Sequence, residues 1–484
     1  MVVSMLFAHA NFFWCNLLSN AVTRLRPRWR PFEDAISAFR IADIDDCLAI
    51  LHQHSSPQAT ALEVRCLIRL GKPSEALSLL QEVDYANLTH KVASELRILQ
   101  LSAYIAVNDD ENAHTAMAHA KARSYGVGSV ELESELVYFC AVLEWTQGRY
   151  AEAKALADSM IAKQTAIPAW LREDVEFYPF NQAYWRARAF ELLGMTAALE
   201  KNYAAQAGFL VKSFEEFDSA NCPDVWVEAL MLSNVAFLVR DLQDPALATF
   251  VRERAAKIQW KPTLAGRRFV TQHSLGWCSA LSGDNLGGLR EFRQSAEIAP
   301  TVPLKILAIL DRAFIASQLH ERFFALEQLE HASHLAAGVD WDTVVSYDRK
   351  VLLDLAAALA PHDVARARVT LDRYFSARTP ISSLALFSKD TRRRGDECMA
   401  TAAVVRAEGA LDRAVMVYKE AFDIWTDVGY AWRAAAAALE IYTLTGDTAY
   451  LDVVAREAAE RPLSWIANRY ASVVLDDPNR YVRT

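Results

Sequence analysis

Apolar positions along this chain recur at three- and four-residue steps in runs of a dozen or more, and period-two alternation of β-branched residues is hard to find. That period is the mark of amphipathic helices, and Ala, Leu, Glu and Arg, which lose little entropy in a helix, dominate nearly every run. Five glycines punctuate the pattern: "LGKPSEALSLL" at Gly71, "QGRYAEAKALA" at Gly148, "SGDNLGGLREF" at Gly283, "EGALDRAVMVY" at Gly409 and "TGDTAYLDVVA" at Gly446. At each, one helical run ends before the glycine and a second begins two or three residues after it, so the predicted unit is a helical hairpin. Glycine suits the turn because the residue closing a helix often adopts a left-handed conformation that a Cβ disfavours.

The spacing within each hairpin carries a packing prediction. Ala76, Ala153, Gly288 and Ala414 stand five residues after their glycines and are small, as a close approach of two antiparallel helices requires. Leu80, Phe292 and Tyr418 lie one turn further along that face and fill the groove against the next hairpin. Pro300 stops the second helix of the Gly283 hairpin. Weaker turns fall at Asn108, Lys201, Leu242, His320 and Pro361, which brings the turn-to-turn interval to about 37 to 53 residues and the count to about ten hairpins. An eleventh, in "FEDAISAFRIADIDDCLAIL", starts the array at Pro31. The predicted fold is therefore all-α, a right-handed helical-hairpin solenoid in which each hairpin buries its apolar face against its neighbours.

These residues resemble the tetratricopeptide repeat. "HSLGWCSALSGDNLGGLREFRQSAEIAP" carries the Leu-Gly of that repeat's first helix, its Gly-Asp turn, its small residue, its aromatic and its closing Pro. With intervals nearer 40 than the repeat's usual 34 residues, the array is similar to the degenerate superhelix that forms the sensor region of MalT-type bacterial regulators in the LuxR class. The segment "RAAAAALEIYTLTGDTAYLDVVAREAAERPLSWIANR" looks like the end of such an array. No GxxxxGK[ST] phosphate loop precedes the repeats and no helix-turn-helix domain follows them, so autonomous DNA binding and nucleotide-driven switching are not expected. The resemblance implies an effector- or protein-binding superhelix of a bacterial regulatory system.

Composition narrows the reading. With 52% hydrophobic residues over 484 positions and only 16 Gly and 15 Pro, the chain has a large core and long regular elements. A net charge of −9 offers no broad attraction to phosphate backbones, so direct nucleic-acid binding is not expected. The 7 cysteines are scattered with no CxxC pair, which suggests reduced core thiols in a cytoplasmic protein rather than a disulfide frame or zinc knuckle. Residues 2–22 carry no charge and precede the basic "TRLRPRWR". Membrane contact is expected only through that segment, and His9, Asn11, Asn16 and Asn20 weaken it as an anchor. The domain reading is an apolar and basic extension over 1–30, the repeat superhelix over 31–462, and a capping helix and tail over 463–484.

Catalytic and metal patterns are sparse. Glu327, Glu330, His331 and His334 share one helix face, but ligands from a single segment read better as a solvated face. "HERFF" at 320–324 has Phe324 where a zinc-protease helix has its second His, and no HExxH, GxSxG or Rossmann glycine run is present. "KDTRRRGDE" brings Arg392, Arg393 and Arg394 beside Asp390, Asp396 and Glu397, a mixed-charge stretch read as a solvated loop or helix end or as a dock for an acidic partner. No cofactor and no metal are expected.

In a solenoid of hairpins the first helices line the concave side. That register nominates Asn181, Tyr184, Arg188 and Asn234, then His273 and Trp277, then Asp311, Phe314 and Gln318, with Trp277 and Phe314 equally suited to the core between helices. Aromatics supply area and Arg and Asn supply hydrogen bonds, which suits an extended peptide or a helix. The function expected is a non-catalytic scaffold that binds a protein, a peptide or a small-molecule effector in a bacterial regulatory system. The alternatives are a transcriptional regulator working through a separate DNA-binding partner, and an enzyme with a helical-repeat body.

Overall fold

A computed structural model describes residues 30–124, 129–162, 179–200, 202–220, 224–242, 245–344, 346–377, 391–460 and 465–475. The apolar segment 2–22, Cys15, Cys222, the Lys201 turn and the start of the Arg392 run lie outside them. Among the described residues all regular structure is helical, and no helix is long and apolar enough to cross a membrane.

The helices pair as hairpins in chain order: α1 Arg30–Arg40 with α2 Ile44–Leu51, α3 Pro57–Arg69 with α4 Pro73–Gln81, and α5 His90–Ala106 with α6 Asp110–Ser124. Next come α7 Val130–Thr146 with α8 Tyr150–Ala162, α9 Gln182–Leu199 with α10 Tyr203–Ser219, and α11 Val225–Leu242 with α12 Pro245–Ala255. The array continues with α13 Ala265–Leu281 and α14 Asn285–Ile298, then α15 Val302–Gln318 and α16 Arg322–Ala337. The short α17 Ser346–Arg349 leads into α18 Val351–Leu359 and α19 Val364–Ser376. Last are α20 Thr391–Ala407 with α21 Leu411–Val428, α22 Ala431–Thr445 with α23 Thr448–Glu460, and the single α24 Trp465–Leu475. The chain is thus a tetratricopeptide-like array of helical hairpins.

The five glycine turns are left-handed as expected, with φ of 72° at Gly71, 78° at Gly148, 87° at Gly283, 86° at Gly409 and 69° at Gly446. Asn108 and His320, which mark turns without a glycine, take the same conformation at 55° and 61°. Two left-handed turns were not legible: Ala42, between α1 and α2, and Gly429, which closes α21. The small positions after the turns are buried, with Ala76, Ala153 and Ala414 at 0% exposure. In the Gly283 hairpin the close approach is visible atom by atom. A Cβ on Gly276 would stand 2.7 Å from the Phe292 ring, and one on Gly288 would stand 3.1 Å from the Gly276 carbonyl oxygen. Helix starts are capped by side chains that accept from backbone N–H groups, as Ser56 does from Ala59 ahead of Pro57 and Asp284 does from Gly287 at 2.8 Å.

The hairpins divide into two compact units, one of residues 1–192 with 213–226 and one of 193–212 with 227–484, the division running across α9, α10 and α11. In the first, the first helices α3, α5 and α7 pack one on the next, and Leu96, Leu99, Ala103, Leu80 and Val64 form one of the buried clusters. In the second, α15, α18 and α20 do the same around Ile306, Leu310, Leu353, Leu359 and Val404.

Candidate functional site

Four of the nine nominated residues converge in the second unit. His273 and Trp277 stand one turn apart on α13, and Asp311 and Phe314 on the neighbouring α15. The Asp311 carboxylate accepts the indole N–H of Trp277 at 2.8 Å and lies 2.5 Å from Nε2 of His273. The imidazole is stacked on Phe269, with centroids 5.4 Å apart, and stands 5.3 Å from the Phe292 ring. His273 and Trp277 are buried at 5% exposure each, because tertiary contacts cover the face that the hairpin register leaves open. The cover comes from far along the chain: Trp432 on α22 lies 6.3 Å from Trp277, and Trp465 on α24 meets Phe314 edge-on at 5.2 Å. Phe314 and Asp311 remain half-buried and Gln318, one turn beyond Phe314, is half-buried too. The indole N–H groups of Trp432 and Trp465, 7% and 8% exposed, have no acceptor among the described residues.

Three of the remaining nominees belong to the first unit. Asn181 caps α9, its side-chain oxygen accepting from the Tyr184 N–H at 3.0 Å while its amide donates to the Ala220 carbonyl at 2.5 Å. Tyr184 is buried and stacked on Phe180 at 4.1 Å, and burial together with the nearby Asp224 pushes its hydroxyl well above the usual tyrosine range. Arg188 donates to the Tyr138 hydroxyl at 2.7 Å and pairs with Glu191. Burial would lower the Arg188 guanidinium, but Glu191 and Tyr138 outweigh it and hold it above the ordinary arginine value. Asn234 is half-buried on α11 in the second unit.

A charged ladder that the sequence reading did not single out runs along the first helices of the first unit. Arg65 on α3 donates to Glu95 on α5 at 3.0 Å and to Glu135 on α7 at 2.6 and 2.9 Å, all three residues being buried. Burial raises the Glu95 carboxyl, Arg65 opposes that shift, and Glu135 adds to it. Four residues along α3, Arg69 pairs with Asp224, donates to the Phe39 carbonyl at 3.0 Å and lies 3.6 Å over the Phe39 ring. The available signal was a charge set among apolar neighbours, as in "LEVRCLIRL" around Arg65.

Arg393 and Arg394 of the charge run are held by partners within the molecule. Arg393 donates to the Tyr374 hydroxyl at 2.8 Å and to Glu397, Arg394 donates to Glu420 at 2.8 Å, and Asp396 takes both Lys350 and Arg433. The stretch from Thr391 onward is the first turn of α20 rather than a loop, and Gly395 sits where a Cβ would come 2.5 Å from the buried Trp425 ring. On the Glu327 face, Glu330 bonds Arg366 of α19 at 2.9 and 3.0 Å, while Glu327, His331 and His334 are exposed. Among the described residues no group of three or more His, Cys, Asp and Glu side chains has the arrangement of a metal site.

No protein-family model matches the chain, and no curated protein matches it either. Solved structures that resemble it include the Rap protein complexed with competence and sporulation factor, at 13% identity and a TM-score of 0.40 over 81% of this chain and 98% of that one. The apo form of the quorum sensor NprR from B. thuringiensis is similar at 10% identity and 0.41, over 86% and 97%. The APC/C hetero-tetramer Cut9–Hcn1 is similar at 13% and 0.31, over 93% and 94%.

Proposed function

We propose that this protein is a non-catalytic scaffold that binds a protein or peptide partner in a bacterial regulatory system, and that its recognition face in the second unit is built on α13 and α15. The observation that supports this reading is the Asp311 carboxylate, fixed by His273 and Trp277 beside the half-buried Phe314 and Gln318. A carboxylate oriented by two donors next to an aromatic ring and an amide offers a partner charge, apolar area and hydrogen bonds within two helical turns. In this reading His273 and Trp277 position Asp311, and Asp311, Phe314 and Gln318 touch the partner. Asn181 and Arg188 in the first unit, with the buried Tyr184 between them in sequence, and Asn234 in the second are separate candidates for partner contact, each within its own unit.

Affinity purification of the tagged full chain from its own cells, followed by mass spectrometry, tests the proposal. The expected result is one protein or peptide enriched with the wild type and reduced at least ~10-fold with Phe314→Ala/Gln318→Ala, a loss of about 1.4 kcal/mol or more. Equal recovery with the double variant would remove the face from consideration, and stoichiometric small-molecule turnover by the purified chain would overturn the non-catalytic reading.

A further inference from the structure

The cysteines in the described part of the chain are all free and buried, and two of them face each other. Cys47 on α2 and Cys66 on α3 come from neighbouring hairpins, both at 0% exposure, and the Cys66 thiol donates to the Cys47 sulfur at 3.5 Å. Arg69 on α3 binds the carbonyl and ring of Phe39 on α1, the hairpin partner of α2, and the His52–Glu63 pair at 3.4 Å joins the end of α2 to α3 directly. A disulfide needs its sulfurs at ~2.05 Å, so the pair lacks only about 1.5 Å of approach.

We propose that Cys47 and Cys66 are an oxidative modification site: a peroxide converts them into a reversible disulfide that staples the first hairpin to the second. One thiol gives up its proton and attacks a peroxide oxygen; the S–O bond forms, the O–O bond breaks, and the departing hydroxide takes a proton to become water. The second sulfur then attacks the sulfenic sulfur; the S–S bond forms, the S–O bond breaks, and the oxygen leaves as a second water with the remaining thiol proton. Two thiols are oxidised by two electrons and one peroxide is reduced to two waters. The fold supplies the second step, because the resolving thiol is already in contact and need not be found by diffusion. It also slows the first. Neither sulfur meets solvent, and the hydrogen bond to Cys47 together with burial pushes the Cys66 thiol far up, so reaction waits on local opening of the hairpin.

The test exposes the native full chain to hydrogen peroxide, blocks remaining thiols with a maleimide, and maps the unreduced digest by mass spectrometry. Met416, 65% exposed, reports the dose through its sulfoxide. The expected result is a linked Cys47 and Cys66 peptide pair, lighter by two hydrogens, restored by dithiothreitol and missing in Cys47→Ser and Cys66→Ser. The wild type should also gain a few degrees in melting temperature on oxidation, and Cys47→Ser should not. A dose that fully oxidises Met416 yet leaves both thiols open to maleimide in the subsequently unfolded chain would overturn the proposal. So would sulfinic acid at either cysteine without the link, or a link that forms only in urea.

Discussion

In the first unit, helices distant in sequence meet through charge: Arg65 is shared by Glu95 and Glu135, and Arg69 reaches Asp224 more than 150 residues away. In the second they meet through rings: Trp277 faces Trp432 and Phe314 meets Trp465. Both contacts pin one stretch of array to a later one, yet they respond differently to change. A buried charge is tolerable only while its partner remains, because desolvation is offset by one specific opposite charge in one geometry. Aromatic burial is non-directional and scales with area, so it accepts a ring of another shape, and among the described residues it leaves the indole N–H groups of Trp432 and Trp465 without acceptors.

Arg65→Met should break the first unit's contact outright, since it leaves two carboxylates buried without their cation; a loss of about 3–5 kcal/mol is expected in urea unfolding. Its pH dependence sharpens the point. The Glu95 carboxyl is raised in the folded protein, so the folded state holds that proton more tightly than the unfolded chain does. Its contribution to stability is therefore present below the ordinary glutamate value and is lost as pH rises through the raised one. Removing Arg65 should deepen this effect, so acidification toward the glutamate range should recover part of the variant's deficit. A variant equally unstable at every pH would show that the ladder's charges are not what holds it.

Gly276→Ala tests the floor of the aromatic contact. The added Cβ would press on Phe292, which is 0% exposed and supports both Trp277 and His273, so overpacking should cost about 1–3 kcal/mol. A calorimetric loss below that range would mean the cluster yields more easily than its close contacts imply. Trp432→Phe should have the smallest effect, within about 1 kcal/mol of wild type by thermal melting, because a ring is kept and the donor removed is a buried one with no acceptor among the described residues. A loss as large as that of Arg65→Met would erase the distinction between the two contacts.

Much of the hairpin plan was written locally. Gly71, Gly148, Gly283, Gly409 and Gly446 announced their turns because only a left-handed residue closes those helices, and the small and aromatic positions at fixed offsets announced how each hairpin packs. Ala42 could not be anticipated in the same way, since alanine is rarely left-handed and only its setting holds it there. The charge run at Arg393 and Arg394 was ambiguous for a different reason: its partners Tyr374 and Glu420 lie 19 and 26 residues away, beyond the reach of a local pattern. For the candidate site, the register placed His273, Trp277, Asp311 and Phe314 on adjoining helix faces but gave no sign of Trp432 and Trp465 above them.

The sequence by itself determined the helical hairpins, the turns at Gly71, Gly148, Gly283, Gly409 and Gly446 and the internal face of each of those hairpins, because backbone conformation and the packing of one helix on the next depend on residues within a few turns of each other. Tertiary structure alone decided that one carboxylate serves both His273 and Trp277, that Arg65 answers two glutamates, and that tryptophans from α22 and α24 come to rest on α13 and α15. Those contacts join residues about 30 to 155 positions apart on different hairpins, and no local period in the chain encodes which of them meet.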